Sequence, residues 1–208
     1  MKLHQFARLL LVSIMAMIAL AAPSLVAARE TVDLSTLNPV PPDFYTCYAN
    51  GSGTICRERT TFSYESEDTG IVCGSGATAF TIYDSGSAHE IGTRFYDRDG
   101  NLTRRVLHHN WFSSQFSNPL TGAVVPYTQH QKITNVLAVP GDFSSATETI
   151  VGEIIFKPKH SAPVALAVGR VVIGADGTLE FMAGQDTFMA YFVDGDTSVL
   201  EPLCRALE

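Results

Sequence analysis

The sequence lacks the short motifs typical of several large enzyme and metal-binding classes. It has no G-x-S-x-G segment, no glycine-rich phosphate-binding loop and no C-x-x-C pair. These absences argue against a hydrolase nucleophile elbow, a P-loop nucleotide site and a zinc site built on cysteine pairs. It also lacks an internal repeat and any long amphipathic helical pattern, so a helical bundle or a repeat array is excluded.

Basic residues are scarce relative to acidic ones. The 208-residue chain has 14 Lys and Arg against 21 Asp and Glu, for a net charge of −7. Without the first 28 residues, which carry Lys2 and Arg8, 12 basic residues face 21 acidic ones, about −9. An acidic chain repels polyanions, so we predict that neither nucleic acid nor anionic membrane is a partner.

Long apolar runs are absent beyond the N-terminus. There, the basic residues Lys2 and Arg8 precede the apolar segment 9–22, and small residues at 26–28 stand before Arg29. This order is typical of a secretory signal peptide, and the run is shorter than the ~20 residues of a membrane span. We predict a signal peptide over 1–28, a secreted extracellular protein and no stable membrane anchor.

Four cysteines in a secreted chain predict two disulfides rather than a metal site. Cys47 and Cys56 flank the turn segment 50–53 almost symmetrically, so a hairpin there would bring them together. That pairing leaves Cys73 with Cys204, although the two other connectivities stay open. The mature chain then divides into an extended Pro-rich arm (29–46), a disulfide-clipped N-terminal cap (47–72) and a β domain (73–208).

Turn signals recur at short intervals between β-rich segments from Cys73 onward, and an apolar stripe over 198–207 predicts a short C-terminal helix. The fold predicted is an all-β antiparallel meander that closes into a roughly eight-stranded barrel, with a two-sheet β-sandwich as the alternative. The strands are expected at 78–84, 90–97, 102–115, 124–139, 147–157, 164–174, 178–184 and 188–193.

Four segments resemble a family of small secreted actinobacterial proteins of unknown function. They are 71–76, the D-x-D-G-N-L stretch within 94–104, the S-N-P-x-T-G turn at 117–122, and 168–172. The resemblance covers about 73–204. It implies one cysteine before the first barrel strand and one near the C-terminus, as in the Cys73–Cys204 pair, and it implies no catalytic residue.

Histidines supply the first chemical candidates. If the segments 102–115 and 124–139 pair across the turn at 118–122, His109 or Trp111 approaches His130. Adjacent strand residues point to opposite faces, so His108 and His109 cannot both join one site. Two imidazoles are too few for zinc, and we predict no metal and no cofactor.

Asp84 is the second candidate, because residues 82–88 match the apolar-apolar-Asp-Ser-Gly pattern of aspartic proteases. Such enzymes need two carboxylates that share a proton, and this chain has one copy of the pattern. The interpretation preferred is a hairpin turn in which Asp84 caps its own loop and Gly86 takes a positive φ.

Two functional hypotheses follow. The first is a secreted β-barrel that acts as a binding or structural module and holds a small apolar ligand, with Trp111 and Tyr127 as candidate ligand-binding residues. The alternative is a barrel-cavity enzyme of isomerase or cyclase type that uses the His109/His130 neighbourhood. The first is favoured because a fold alone implies no chemistry, and the oligomeric state is not indicated.

Overall fold

A computed structural model describes residues 31–186, 191 and 195–208 of the chain. The predicted signal peptide and nearly all of the predicted strand 188–193 lie outside these residues. Within them, eight strands follow one another and a short helix ends the chain: β1 (Thr46–Asn50), β2 (Gly53–Cys73), β3 (Phe80–Tyr96), β4 (Leu102–Ser117), β5 (Val124–Leu137), β6 (Ala146–Phe156), β7 (Ala165–Ile173), β8 (Leu179–Asp186) and α1 (Glu201–Leu207).

The strands form one antiparallel sheet in sequence order, so every connection joins neighbours. The prediction of an all-β meander with a short C-terminal helix is confirmed. Strands β1 and β8 are the edges, and no ladder joins them within the described residues. The sheet described is therefore open, and the predicted closure into a barrel is not observed.

Residues 47–72 do not form the separate cap that the sequence predicted. They supply most of β1 and most of β2, and β2 pairs with β3 from Thr54 opposite Tyr96 to Cys73 opposite Phe80. Two register shifts interrupt this ladder without ending it. The first cysteine hairpin is thus the start of the main sheet, because its second strand continues for 21 residues.

The expected hairpin at Asp84 is also wrong, since β3 runs through it from Phe80 to Tyr96. Asp84 pairs with Glu67 on one side and Phe116 on the other. Gly86 is not among the residues of positive φ. A Cβ there would lie 2.7 Å from the Cβ of Ser114, so the glycine allows β4 to approach rather than a turn to form.

Two hydrophobic clusters lie on one face of the sheet, which we call the interior face. The helix-end cluster joins α1 to strands β2 to β7, and the arm-end cluster joins the segment before β1 to the opposite end of the strands. The helix-end cluster includes Ile82, Phe116, Val125, Phe156, Leu203 and Leu207. The arm-end cluster consists of Leu37, Tyr45, Cys56, Tyr96, Leu102 and Leu137.

The C-terminal helix is fixed by its apolar side and by a disulfide. Leu203 and Leu207 are fully buried, and the Asp196 carboxylate accepts a hydrogen bond from the Ser198 amide to cap the preceding 3₁₀ turn. The disulfides join Cys73 to Cys204 and Cys47 to Cys56, the pairing preferred from the sequence. No helix among the described residues is long and apolar enough to span a membrane.

Candidate functional site: a polar interior between two apolar clusters

The interior face turns polar midway between the two clusters. Alternate residues of β2 share a face, so Glu58 and Thr60 lie on the same side as the buried Cys56. The register places Glu58 beside Gly92, and Thr60 beside Glu90, which lies opposite His109. Charged groups thus occupy positions that the sheet elsewhere fills with apolar side chains.

Glu58 is the most buried charged residue of this region, at 5% exposure. The Thr60 hydroxyl donates to its Oε2 over 2.8 Å, while its Oε1 has no hydrogen-bond partner among the described residues. Burial raises the pKa of the Glu58 carboxyl, the Thr60 hydroxyl opposes this, and the neighbouring Glu90 carboxyl adds to it. Glu58 is therefore an acid held in an environment that favours its protonated form.

His109 contacts Glu90, with 2.6 Å between Nε2 and Oε2. The two atoms are in contact, but His109 Nε2 forms no hydrogen bond among the described residues. Burial lowers the pKa of the His109 imidazole, and the Arg105 guanidinium lowers it further. A neutral imidazole is thereby favoured at neutral pH, which is the form able to accept a proton.

Two guanidinium groups lie next to these acids. The Arg105 Nε donates to Asn135 Oδ1 over 3.0 Å, and the Asn135 amide donates to Glu148 over 2.8 Å. The Arg94 guanidinium lies 5.0 Å from the Tyr45 ring centroid, and its Nε is buried without a hydrogen-bond partner among the described residues. The polar interior therefore contains acidic and basic groups and three buried atoms without a hydrogen bond among the described residues, namely Glu58 Oε1, Arg94 Nε and His109 Nε2.

An aromatic wall borders the polar region on the helix side. The Trp111 ring lies 4.7 Å from the His109 ring, and Phe62 meets Trp111 edge-on at 6.5 Å. Trp111 and Ile154 also pack against the helix-end cluster. An apolar surface and titratable groups consequently meet at His109.

Asp84 and Tyr127, both predicted as candidates, meet Tyr64 in a second polar group on the same face. The Tyr64 and Tyr127 hydroxyls each lie 3.0 Å from Asp84 Oδ2 and 2.9 Å from each other. These three oxygen–oxygen contacts need three protons if each is to be a hydrogen bond, but the two tyrosine hydroxyls supply only two. A protonated Asp84 carboxyl supplies the third. Burial raises the pKa of Asp84, although both tyrosine hydroxyls oppose the shift.

We expect Asp84→Asn to remove a component of stability that falls as pH rises. A carboxyl whose pKa is higher in the folded state stabilises the fold fully below its unfolded value of about 3.9, and this contribution is lost as pH rises through the folded pKa. The free energy of unfolding of the variant should equal that of the wild type near pH 3 and should exceed it increasingly toward pH 7. Urea unfolding across this range measures the difference.

Asp33→Asn is the control, since its exposed carboxylate accepts a hydrogen bond from the Ser35 amide, and the Ser35 hydroxyl and amide lower its pKa. That contribution to stability is present above the unfolded pKa and is lost as pH falls. The free energy of unfolding of Asp33→Asn should therefore fall below that of the wild type as pH rises, which is the opposite of the change expected for Asp84→Asn. A parallel response of the two variants contradicts the role assigned to Asp84.

The structure does not bring His130 to this site. The register pairs His130 with Asn110, while His109 pairs with Gln131. His130 is exposed on the other face, where its Nδ1 lies 3.0 Å from Asn110 Oδ1. The expected His109/His130 neighbourhood is replaced by His109 with Glu90 and Trp111.

No cluster of three or more His, Cys, Asp or Glu side chains placed to hold a metal occurs among the residues that the structure describes. Comparisons with family models, with curated proteins and with solved structures found no match.

Proposed function

We propose that the protein binds a small amphipathic molecule on its interior face. The observation that carries this is the pairing of an aromatic wall with buried polar atoms that the described residues leave unsatisfied. An apolar ligand body lies against Trp111 and Phe62, and a neutral hydrogen-bonding group reaches Glu58 and His109. This arrangement is typical of small-molecule pockets, which are mostly apolar with a few placed polar groups.

Trp111 is the sole tryptophan, so its fluorescence reports directly on the site. We expect Nile red, a neutral apolar dye, to quench Trp111 emission saturably and to be displaced by long-chain alcohols more effectively than by the matching alkanes. His109→Gln should weaken alcohol binding about tenfold, because a lost hydrogen bond to a buried group costs about 1–3 kcal/mol.

His130→Gln is the matched control, since this histidine lies one position from the partner of His109 but on the opposite face. It should leave dye and alcohol binding unchanged. Absence of saturable quenching in the wild type, or equal losses in the two histidine variants, rules out a ligand at the interior site.

We propose acid–base catalysis as the second candidate function, because a buried imidazole favoured in its neutral form contacts a carboxylate. In this hypothesis His109 removes a proton from the carbon next to a ligand carbonyl and returns it to another carbon, as an isomerase requires. Deuterium uptake by a cyclic ketone in D₂O tests it. Uptake must depend on His109 and survive His130→Gln.

We further propose that the sheet curls toward a barrel. Support comes from the helix-end cluster, which draws residues from six strands, and from Gly152, Gly169 and Gly184, which adjoin one another across β6 to β8. Each has a positive φ and sits where a Cβ would meet the neighbouring backbone, as at a bend. Protection from hydrogen exchange of the β1 and β8 amides that point away from β2 and β7 supports closure, and rapid exchange of those amides contradicts it.

We infer secretion from the N-terminal pattern and the two disulfides, which persist in oxidising compartments. Protein recovered from the culture medium should begin at Arg29. Recovery only from the cytoplasm with residues 1–28 attached contradicts this inference.

A further inference from the structure

The outer face of the sheet, opposite the clusters, carries a row of basic residues. Cross-strand pairing aligns Arg59, His108, Lys132 and Arg170 through Ile91 and Val151. All four side chains are exposed. At about 4.8 Å between strands, they follow one another at about 10, 5 and 10 Å across the sheet.

The charged members of this row form no ion pair within the described residues. Within the described residues, no carboxylate lies within 4.0 Å of Arg59, Lys132 or Arg170. In this row and in the two rows beside it, Glu153 is the one acidic residue, while Arg57 adds a further cation. A protein of negative net charge thus concentrates positive charge on one face, which we call the basic face.

A groove of about 630 Å³ opens at one end of the row, lined by Arg57, Arg59, His108 and Phe44. Phe44 is 64% exposed and offers its ring to the groove. Glu58 also borders the groove, but its carboxylate is buried and bonded to Thr60. The groove therefore combines cationic side chains with one aromatic surface.

We propose that the basic face binds a linear acidic polysaccharide, with one sugar unit in the groove and the following carboxylates along the row. The row of exposed basic side chains complements a chain that carries many carboxylates, and an aromatic ring packs against the C–H face of a sugar. A single groove aromatic differs from the stacked aromatics of single-strand nucleic-acid sites. The net charge of the protein also repels the denser charge of nucleic acid.

Binding to a polygalacturonate oligomer tests the proposal, with neutral dextran and a thymidine oligonucleotide in parallel. We expect salt-sensitive binding of the polyuronate and none of dextran. The double variant Lys132→Gln/Arg170→Gln should weaken this binding about tenfold. It should also reduce the salt dependence, because a protein with fewer cations displaces fewer counterions from the polyanion. Phe44→Ala should weaken it severalfold without changing the salt dependence.

Lys157→Gln with Arg205→Gln is the matched control, because it removes the same two charges from exposed positions outside the row. It should alter affinity by less than twofold. The proposal is overturned if both double variants lose affinity equally, if dextran binds as well as polygalacturonate, or if the oligonucleotide binds more tightly. His109→Gln should leave this binding intact, so the test is independent of the interior site.

Discussion

Cys204→Ser is expected to lower the free energy of unfolding by about 2–5 kcal/mol. The bond to Cys73 spans 131 residues and ties the last helix to the end of β2. A long closed loop restricts the unfolded chain strongly, and the chain-entropy account gives about 5 kcal/mol for this length. Loss of the bond also frees Leu203 and Leu207, which fill the helix-end cluster, to leave it.

Cys47→Ser is the matched variant, because Cys47 is likewise partly buried in a disulfide but closes a separation of only 9 residues. The same entropy account gives about 2.7 kcal/mol for so short a loop. Urea unfolding followed by Trp111 fluorescence compares the two. A larger loss for Cys47→Ser contradicts the role given to the terminal disulfide.

The sequence predicted the meander and the C-terminal helix because turn chemistry and apolar stripes are local signals. It predicted a turn at residues 84–88 for the same reason, and there tertiary packing overrides the local pattern. Asp84 is bonded to tyrosines of β2 and β5, and Gly86 accommodates Ser114 of β4. Neither partner is visible within a short window of sequence.

The site was predicted only in part, because a charged residue in a strand is usually read as facing solvent. His109, Trp111 and Tyr127 do lie on the interior face, but Glu58 and Glu90 were not singled out. A usable signal was present: Glu58 stands two residues from Cys56, so a buried cysteine implies a buried neighbour at that spacing. The prediction that His130 lies near His109 was wrong, because the turn after β4 sets the strand register and that register cannot be predicted from sequence to within one residue.

Polar and ionisable side chains in the interior are costly for a purely structural sheet. Replacing buried ionic groups by apolar residues of similar volume is often neutral or stabilising, so stability alone does not account for Glu58 and its partly buried neighbours Glu90 and Arg94. Both flanking clusters show that apolar side chains fit this face. Polar central rows are what the binding or proton transfer proposed above requires.

Gly92→Ala is expected to disrupt this polar interior and to destabilise the protein by about 1–3 kcal/mol, the usual cost of overpacking. Gly92 has no positive φ, so alanine suits its backbone and any effect comes from lack of space. A Cβ there would contact the Tyr45 hydroxyl and lie 2.6 Å from Glu58 Oε1. Both side chains must move, because the sheet holds Gly92 between β2 and β4.

Gly51→Ala is the control, since a Cβ at this exposed turn position meets nothing within 4 Å. It should change neither stability nor alcohol binding, whereas Gly92→Ala should reduce both. Urea unfolding and displacement of Nile red from the Trp111 site give the two readouts. If Gly92→Ala binds and unfolds like Gly51→Ala, the Glu58 and Tyr45 side chains can move aside without cost. The polar interior is then not tightly packed around Gly92.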